Sequence, residues 1–338
     1  MTTLSFMAMI NTIIIKGDNV FSPLDYFLIC FLGKRLELYG VVMLVNSDKD
    51  TLFLGIDGGG SKCKAVVMNQ KNEILGSGIS GPGNPLYGFE QAINSIETSA
   101  VLALKDAGLS HLSLNELNAG VGLAGVNLPA VMQQMEEWQH PFKQIFLAHD
   151  LLIACLGAHH QLNGAVIITG TGSCGYSYIN NEDYIIGGHG FPQGDKGSGS
   201  WFGLQATQMV LKSLEGFVEP TMMNELLLEK LSCTTITEVI EKTAGQKATF
   251  FAQLAKIVFL AADQGDDTAL AIVKEGAAYI DSLAKKLLEN NPARLSLLGG
   301  LTPVLQSWLA PDIQAQLSEP LSPPEVGAVY YAKSQLEK

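Results

Sequence analysis

Twice in this chain a short apolar run of strand type ends in a turn built almost wholly of small residues, and two further strands follow. The first instance runs Leu52–Ile56, then Asp57-Gly58-Gly59-Gly60-Ser61-Lys62, then Cys63–Asn69, the polar turn Lys71-Asn72-Glu73, and Ile74–Ile79. The second runs Ala165–Ile168, then Thr169-Gly170-Thr171-Gly172-Ser173, then Gly175–Ile179 and Tyr184–Ile186. Paired β runs joined by Gly-rich turns read as hairpins. A two-residue turn closes a hairpin, so the three glycines Gly58, Gly59 and Gly60 exceed what the turn needs. They let the backbone take φ > 0, approach a ligand closely and aim N–H groups at phosphate oxygens. Two such turns at matching places predict a polyphosphate clamped from both sides. The repeat is one of element order, since the residues themselves differ.

The rest of the chain fits an α/β protein of two similar domains, 51–163 and 164–338. In the first, Glu90–Ala107 has apolar residues at helical spacing and ends at Gly108; Ala119–Val126 reads as a buried strand and turn. Pro129–Trp138 reads as a helix, Ile145–Ala148 as a strand and Leu151–His159 as a helix. In the second, helices are predicted over Trp201–Leu214, Glu219–Leu231, Ile236–Lys242, Phe250–Asp263 and Asp267–Glu289. A late strand, Leu295–Leu298, precedes Gly299-Gly300, and Glu325–Leu336 is a final helix that can pack back on the first domain.

Residues 1–50 do not fit this pattern and are set apart as an atypical N-terminal extension. Val20–Leu32 is apolar but broken by Asp25, and Leu36–Val45 is short, so neither reaches the ~18 clean apolar residues of a membrane span. No basic region with a cleavage site marks a signal peptide. Met43 lies just before the first convincing strand, so a disordered extension or an artefact of start-site choice is the first reading. A membrane-associated segment is the alternative.

Charge narrows the partners. Lys plus Arg number 21 against 33 Asp plus Glu, a net charge of −12, which argues against nucleic acid and anionic membranes. Phosphate needs no basic patch when backbone N–H groups and Mg²⁺ hold it. The five cysteines are odd in number and include no C-x-x-C pair, so reduced thiols in the cytoplasm are expected rather than disulfides or a Cys-rich metal site.

The chemistry-bearing residues follow from these placements. Asp57, at the end of its strand, is positioned to hold Mg²⁺ directly or through water. Gly58, Gly59, Gly60, Ser61 and Lys62 offer backbone N–H groups, a hydroxyl and a charge to phosphate; Gly170, Thr171, Gly172 and Ser173 do so from the other side. Asp150, at the carboxyl end of Ile145–Ala148, projects where α/β proteins bind ligands and can take a proton from an attacking hydroxyl. It can equally cap the helix from Leu151 onward. The polar loop from Gly187 to Ser200 suits a hydroxylated ligand: Gly188, His189 and Gly190 line it, and Asp195 can accept two hydroxyls. Asn84, in Gly-Pro-Gly-Asn-Pro, offers a donor and an acceptor. Gly299 and Gly300 let a flat ring approach the backbone. The histidines show no metal-ligand spacing.

In this order, the Asp-Gly-Gly-Gly-Ser hairpin, Asp150, the Thr-Gly-Thr-Gly-Ser hairpin, the Gly187–Gly203 loop and the late Gly-Gly resemble the N-acetylglucosamine kinase and BadF/BadG-type ATPase family. The resemblance spans about residues 52 to 335. It implies an actin-like ATPase (ribonuclease H-like) fold with Mg-ATP between two domains. It implies a kinase acting on the 6-hydroxyl of a small amino sugar, glucosamine before N-acetylglucosamine, with Asp150 as catalytic base. Ser61, Thr171 and Ser173 then match phosphate-loop positions. Asn84, Asp150, Asp195 and Gly188–Gly190 match sugar positions, and Gly299 and Gly300 the adenine site. Ser61 stands where the family often has Thr, which keeps the hydroxyl. Related kinases are often dimers, so a homodimer is left open. An ATPase driving a partner protein is the rival reading, but the bridging cysteines of its iron–sulfur relatives are missing here.

Overall fold

The computed structural model describes residues 31, 32, 35, 36 and 51–337. Phe31–Leu32 and Arg35–Leu36 pair antiparallel in a unit, residues 1–49, separate from the one that begins at Asp50. The readings of residues 1–50 as an irregular, misassigned or membrane-associated extension otherwise lie outside the described residues.

The unit from Asp50 onward is built on two sheets of one design. In the first, β1 (Phe53–Gly58), β2 (Cys63–Met68) and β3 (Ile74–Ser80) form an antiparallel meander; β4 (Asn118–Leu123) and β5 (Gln144–His149) add in parallel beyond β1. The order is β3-β2-β1-β4-β5. In the second, β6 (Gly164–Thr169), β7 (Ser173–Ile179) and β8 (Glu182–Gly187) repeat the meander, and β9 (Leu295–Leu298) joins β6 in parallel. The order β8-β7-β6-β9 matches the first four strands of the other sheet. In both sheets the first strand is central. That is why Phe53, Leu54 and Ile56, or Ala165, Val166 and Ile167, are buried without alternation: both faces are covered.

Helix α1 (Phe89–Asp106) lays Ala92, Ile96, Ala100, Ala103 and Leu104 on the first sheet, the stripe its spacing predicts. Helix α2 (Pro129–Glu136) follows β4. Helix α3 (Asp150–His159) is buried from Leu152 to His159 because it runs between the sheets, packing on Ala148, Val166 and Tyr176 at once. Over the second sheet lie α4 (Gly199–Leu214), α5 (Met222–Leu231), α6 (Ile236–Thr243), α7 (Ala255–Asp263) and α8 (Asp267–Leu288), enclosing the largest apolar cluster. Helix α9 (Pro324–Leu336) then returns to the first sheet and crosses β1 and β4.

That crossing is backbone against backbone. A Cβ on Gly55 would run into Glu325 O, and one on Gly120 into Ala328 O. The two glycines, level with each other on neighbouring strands, make the groove in which α9 sits.

Two sequence readings shift. Phe250–Asp263, read as one helix, is broken: Ala248–Ala252 is a short helix, and α7 starts only at Ala255. The break keeps Phe251 and Leu254 both buried, with Phe251 O pressed against Gly203 of α4. The strand Ile145–Ala148 reaches His149, and Asp150 is the first residue of α3 rather than a strand end or cap. His149 takes the capping place because its Nδ1 accepts from Leu152 N at 3.1 Å. Among the described residues no helix is long and apolar enough to cross a membrane.

Candidate functional site

The parallel strands β1, β4 and β5 end level with one another, since Gly58 pairs with Leu123 and Leu123 with His149. Ligand sites of open α/β sheets form at such an edge. Here the backbone stitches the edge together: Ala124 N donates to Gly58 O at 2.9 Å, and Gly83 N to Gly59 O at 2.9 Å. The second bond places Asn84 beside the first Gly-rich turn. Asn84 Oδ1 accepts from Leu86 N at 2.9 Å, so half of its amide serves the local turn. Gly59 N donates to Lys62 O at 3.0 Å and closes the hairpin, leaving Gly60, Ser61 and Lys62 exposed at its tip.

Asp57 has an unusual environment. Its carboxyl is pushed up to about 7, first by burial and then by the charges of Glu325 and Asp150; Lys64 and Lys62 pull the other way. Glu325 opens α9, is buried, and lies 3.7 Å from Lys64 Nζ through Oε1. Its Oε2 is buried without a hydrogen-bond partner. Asp150 is also held above the ordinary carboxylate range by burial, against the opposing pull of His149 and of Leu151 N, which donates to its Oδ1 at 3.0 Å.

The raised Asp57 sets the sign of a stability effect. A carboxylate that folds into a site where its pKa rises favours the protonated native state, so stability falls as pH climbs from about 4 through about 7. Asp57→Asn, which keeps the shape and removes the charge, is therefore expected to melt at a higher temperature than the parent at pH 8, with the gap clearly narrower at pH 5. Thermal melts of both ligand-free proteins at the two pH values check this. An Asp57→Asn protein less stable than the parent at pH 8 would contradict it.

The second Gly-rich turn is wedged between two other elements. Gly170 N donates to Gly172 O at 2.9 Å; Gly199 N and Ser200 N, opening α4, donate to Gly170 O at 2.8 Å and Thr171 O at 3.2 Å. Ser173 Oγ donates to Lys196 O at 2.8 Å. From the other side Leu301 N donates to Thr169 O at 3.1 Å, which sets the Gly299-Gly300 turn against the start of the loop. Gly299 has φ 105° and lies hard against Thr169, a place only glycine fills. Next to Gly299 is a cavity of about 210 Å³ lined by Leu297, Thr302, Gln306, Leu317 and Glu319, among others.

Asp195 is buried, adopts φ 58°, and accepts from Gly190 N at 3.3 Å while lying against Gly172. Burial raises its carboxyl, and Gly190 N, Ser173 and His189 act in the opposite sense. Half-buried Cys174, on β7, is packed under Gly188. Its thiol is pushed up to about 12 by burial and by the charges of Asp150 and Asp195. The charge of Asp150 thus acts on Asp57 of the first sheet and on Cys174 of the second, which Asp195 also acts on.

The residues singled out in the sequence fall into two groups. Asp57, Gly58–Lys62, Asn84 and Asp150 gather at the first sheet; Gly170–Ser173, Gly188–Gly190, Asp195, Gly299 and Gly300 gather at the second. Ser61, Lys62 and His189 are exposed, and no hydrogen bond ties their side chains to either group. Sequence reasoning missed Glu325, Lys64 and His149. Glu325 reaches Asp57 only because α9 folds back across the chain, which no local pattern announces. Cys174 directly follows the Gly-rich turn, and that adjacency was its one available signal. Among the described residues no group of three or more His, Cys, Asp or Glu is arranged to hold a metal by itself.

Two meander-plus-parallel sheets, each carrying a Gly-rich hairpin, with a buried helix between them and a terminal helix folded back, define the actin-like ATPase fold. Residues 54–332 match the model of the BadF/BadG/BcrA/BcrD ATPase family, and the chain belongs to that family. Membership of an ATPase family implies that the chain uses ATP. The chain is 32% identical over 280 residues to the glucosamine kinase GspK of Vibrio cholerae, covering 83% of this chain and 95% of that one. It is 27% identical over 261 residues to an N-acetylmuramic acid/N-acetylglucosamine kinase of Clostridium acetobutylicum, covering 73% of this chain and 84% of that one. A crystal structure from Chromobacterium violaceum, described as a candidate N-acetylglucosamine kinase, superposes with a TM-score of 0.79 at 25% identity, covering 83% of this chain and 99% of its own.

Proposed function

We propose that this protein transfers the γ-phosphoryl group of ATP to the 6-hydroxyl of an amino sugar, glucosamine first, giving glucosamine 6-phosphate. The observation that carries the reading is Asp150. It is a half-buried carboxylate at the start of α3, held above the ordinary carboxylate range by burial, and its charge acts on Asp57 of the first sheet and on Cys174 of the second. The likeness to a glucosamine kinase over 95% of its length supports the substrate class.

Each residue then has a task. Asp150 accepts the proton of the sugar 6-hydroxyl as that oxygen attacks; a carboxylate lifted toward neutral pH is a better base than an ordinary one. Asp195 accepts sugar hydroxyls, and Asn84, whose Oδ1 is already engaged, donates to another through Nδ2. Gly188, His189 and Gly190 form the wall on that side. The phosphates lie between Gly58–Lys62 and Gly170–Ser173, with adenine at Gly299 and Gly300 and its adjoining cavity. Closure of the two domains, 51–163 and 164–338, excludes water from the reacting phosphoryl. Positioning and charge stabilisation supply most of the rate in a loose transition state.

Mg²⁺ fits beside Asp57. Asp57, Asp150 and Glu325 concentrate negative charge there, and Glu325 Oε2 has no hydrogen-bond partner. Mg²⁺ usually keeps several waters and takes only one or two carboxylates, which suits a site that is not a closed cage. When bound, it offsets charge on the transferring phosphates. The four described cysteines are free, which together with the need for ATP supports a cytoplasmic setting.

A coupled ADP-release assay with Mg-ATP and glucosamine, N-acetylglucosamine, glucose or N-acetylmannosamine tests the reading. Turnover with glucosamine and not its acetylated form is expected. Turnover with N-acetylglucosamine alone moves the assignment to that sugar. ADP release indifferent to every sugar favours an ATPase that drives a partner protein and removes the role given to Asp150.

A further inference from the structure

The residue just before Asp150 is held in a way that a helix cap does not require. His149 Nδ1 accepts from Leu152 N at 3.1 Å, and that is its capping bond. Ser, Thr, Asp or Asn serves this place as well or better. What a histidine adds is a second nitrogen on the far side of the ring. That atom, Nε2, lies 3.4 Å from Oδ1 of Asp183, a residue of β8 in the other sheet. Because Nδ1 accepts a backbone N–H, it carries no proton, so the neutral ring keeps its proton on Nε2, facing Asp183.

Asp183 is committed to the same assembly from a second direction. Its Oδ1 also accepts from the hydroxyl of Tyr176, on β7. Tyr176 is wholly buried, so its hydroxyl needs that partner. Burial and the carboxylate of Asp183 hold the hydroxyl in its protonated, donating form. Tyr176 in turn meets the His149 ring edge-on at 5.1 Å between centroids. The three residues thus contact one another pairwise, two from one hairpin of the second sheet and one from the end of the first sheet.

We propose that Asp183 and Tyr176, acting through His149, are positioning residues that fix the first turn of α3, and hence the Asp150 carboxylate, relative to the second sheet. This rests on Asp150 being the base. The placement of that base is then set by the half of the molecule that carries Asp195 and the second Gly-rich turn, so proton acceptance and sugar binding stay in register. His149 touches no reacting atom in this scheme; its ring is the connecting piece.

Asp183 is half exposed on an edge strand, and Tyr176→Phe keeps the ring, so Asp183→Asn and Tyr176→Phe are suited to folding normally. Each is expected to lower kcat by about tenfold, the usual lower bound for losing a supporting partner of a site residue. KM for ATP and for sugar should stay within about twofold, a split that a merely less stable protein would not give. In an Asp150→Asn background, where no base remains to be placed, Asp183→Asn should cost nothing further. A kcat for Asp183→Asn within about twofold of the parent, or a loss that multiplies in full on top of Asp150→Asn, overturns the proposal. Should Asp150→Asn alone cost less than about tenfold, the base assignment fails first. A full loss in Asp150→Asn beside an unaffected Asp183→Asn overturns only the positioning role.

Discussion

Replacing Asp150 by Asn is expected to lower kcat by about 10²- to 10⁴-fold, the usual worth of general-base catalysis. Asn keeps the volume of the side chain and its bond from Leu151 N, so the first turn of α3 is preserved while the proton acceptor is lost. KM for the sugar should therefore change little. The pH profile carries a second signature. Burial holds the Asp150 carboxyl above the ordinary carboxylate range, and a base works only when deprotonated. The acid limb of kcat in the parent should fall at a higher pH than a solvent-exposed aspartate would give, and this limb should vanish in Asp150→Asn. Steady-state ADP release from pH 5 to 9 measures both. A loss under about tenfold with sugar binding intact would sink the assignment.

The largest stability effect is expected at Gly120. A side chain there enters the groove that holds α9, and a Cβ already meets the carbonyl of Ala328, which is backbone and has no rotamer to retreat into. Overpacking a well-packed interior costs ~1–3 kcal/mol, occasionally more; Gly120→Val, with a branched side chain against a fixed helix, should lie at about 3 kcal/mol or above. Urea unfolding should show a large drop in midpoint. Gly60→Ala is the matching control: a Cβ at Gly60 meets nothing within 4 Å, so its midpoint should stay put. Equal midpoints for Gly120→Val and the parent would show that α9 does not depend on this groove.

Much of the fold was readable because its signals are local. The two meanders announce themselves through apolar runs and Gly-rich turns, and most strand and helix limits fell within a few residues of the observed ones. The broken helix near Gln253 was not legible, since the break answers to α4 packing against Phe251 rather than to anything in the segment itself. The site divides along the same line. Asp57 and the Gly-rich turns sit at strand ends and Asp150 opens the helix that directly follows one, places that sequence order alone gives. The Glu325–Lys64 pair and the contacts of His149 with Asp183 and Tyr176 depend on α9 crossing back and on the end of one sheet leaning against the other. These are relations between distant segments, with no periodicity to reveal them. Asn84 lay between: its turn was evident from Gly and Pro, but not that half of its amide would be spent holding that turn.

The return of α9 also bears on the order in which a newly made chain can become protein. Strands β1 to β5 leave the ribosome early, yet the groove over Gly55 and Gly120 stays open until residues 324–336 have been added. Through most of synthesis Phe53, Val66 and Val329's other neighbours lack the helix that shields them in the finished molecule. Pairing between segments this distant is slow to form and leaves apolar surface uncovered meanwhile. The nascent first half should therefore be a natural client for chaperones, released only when the last helix docks.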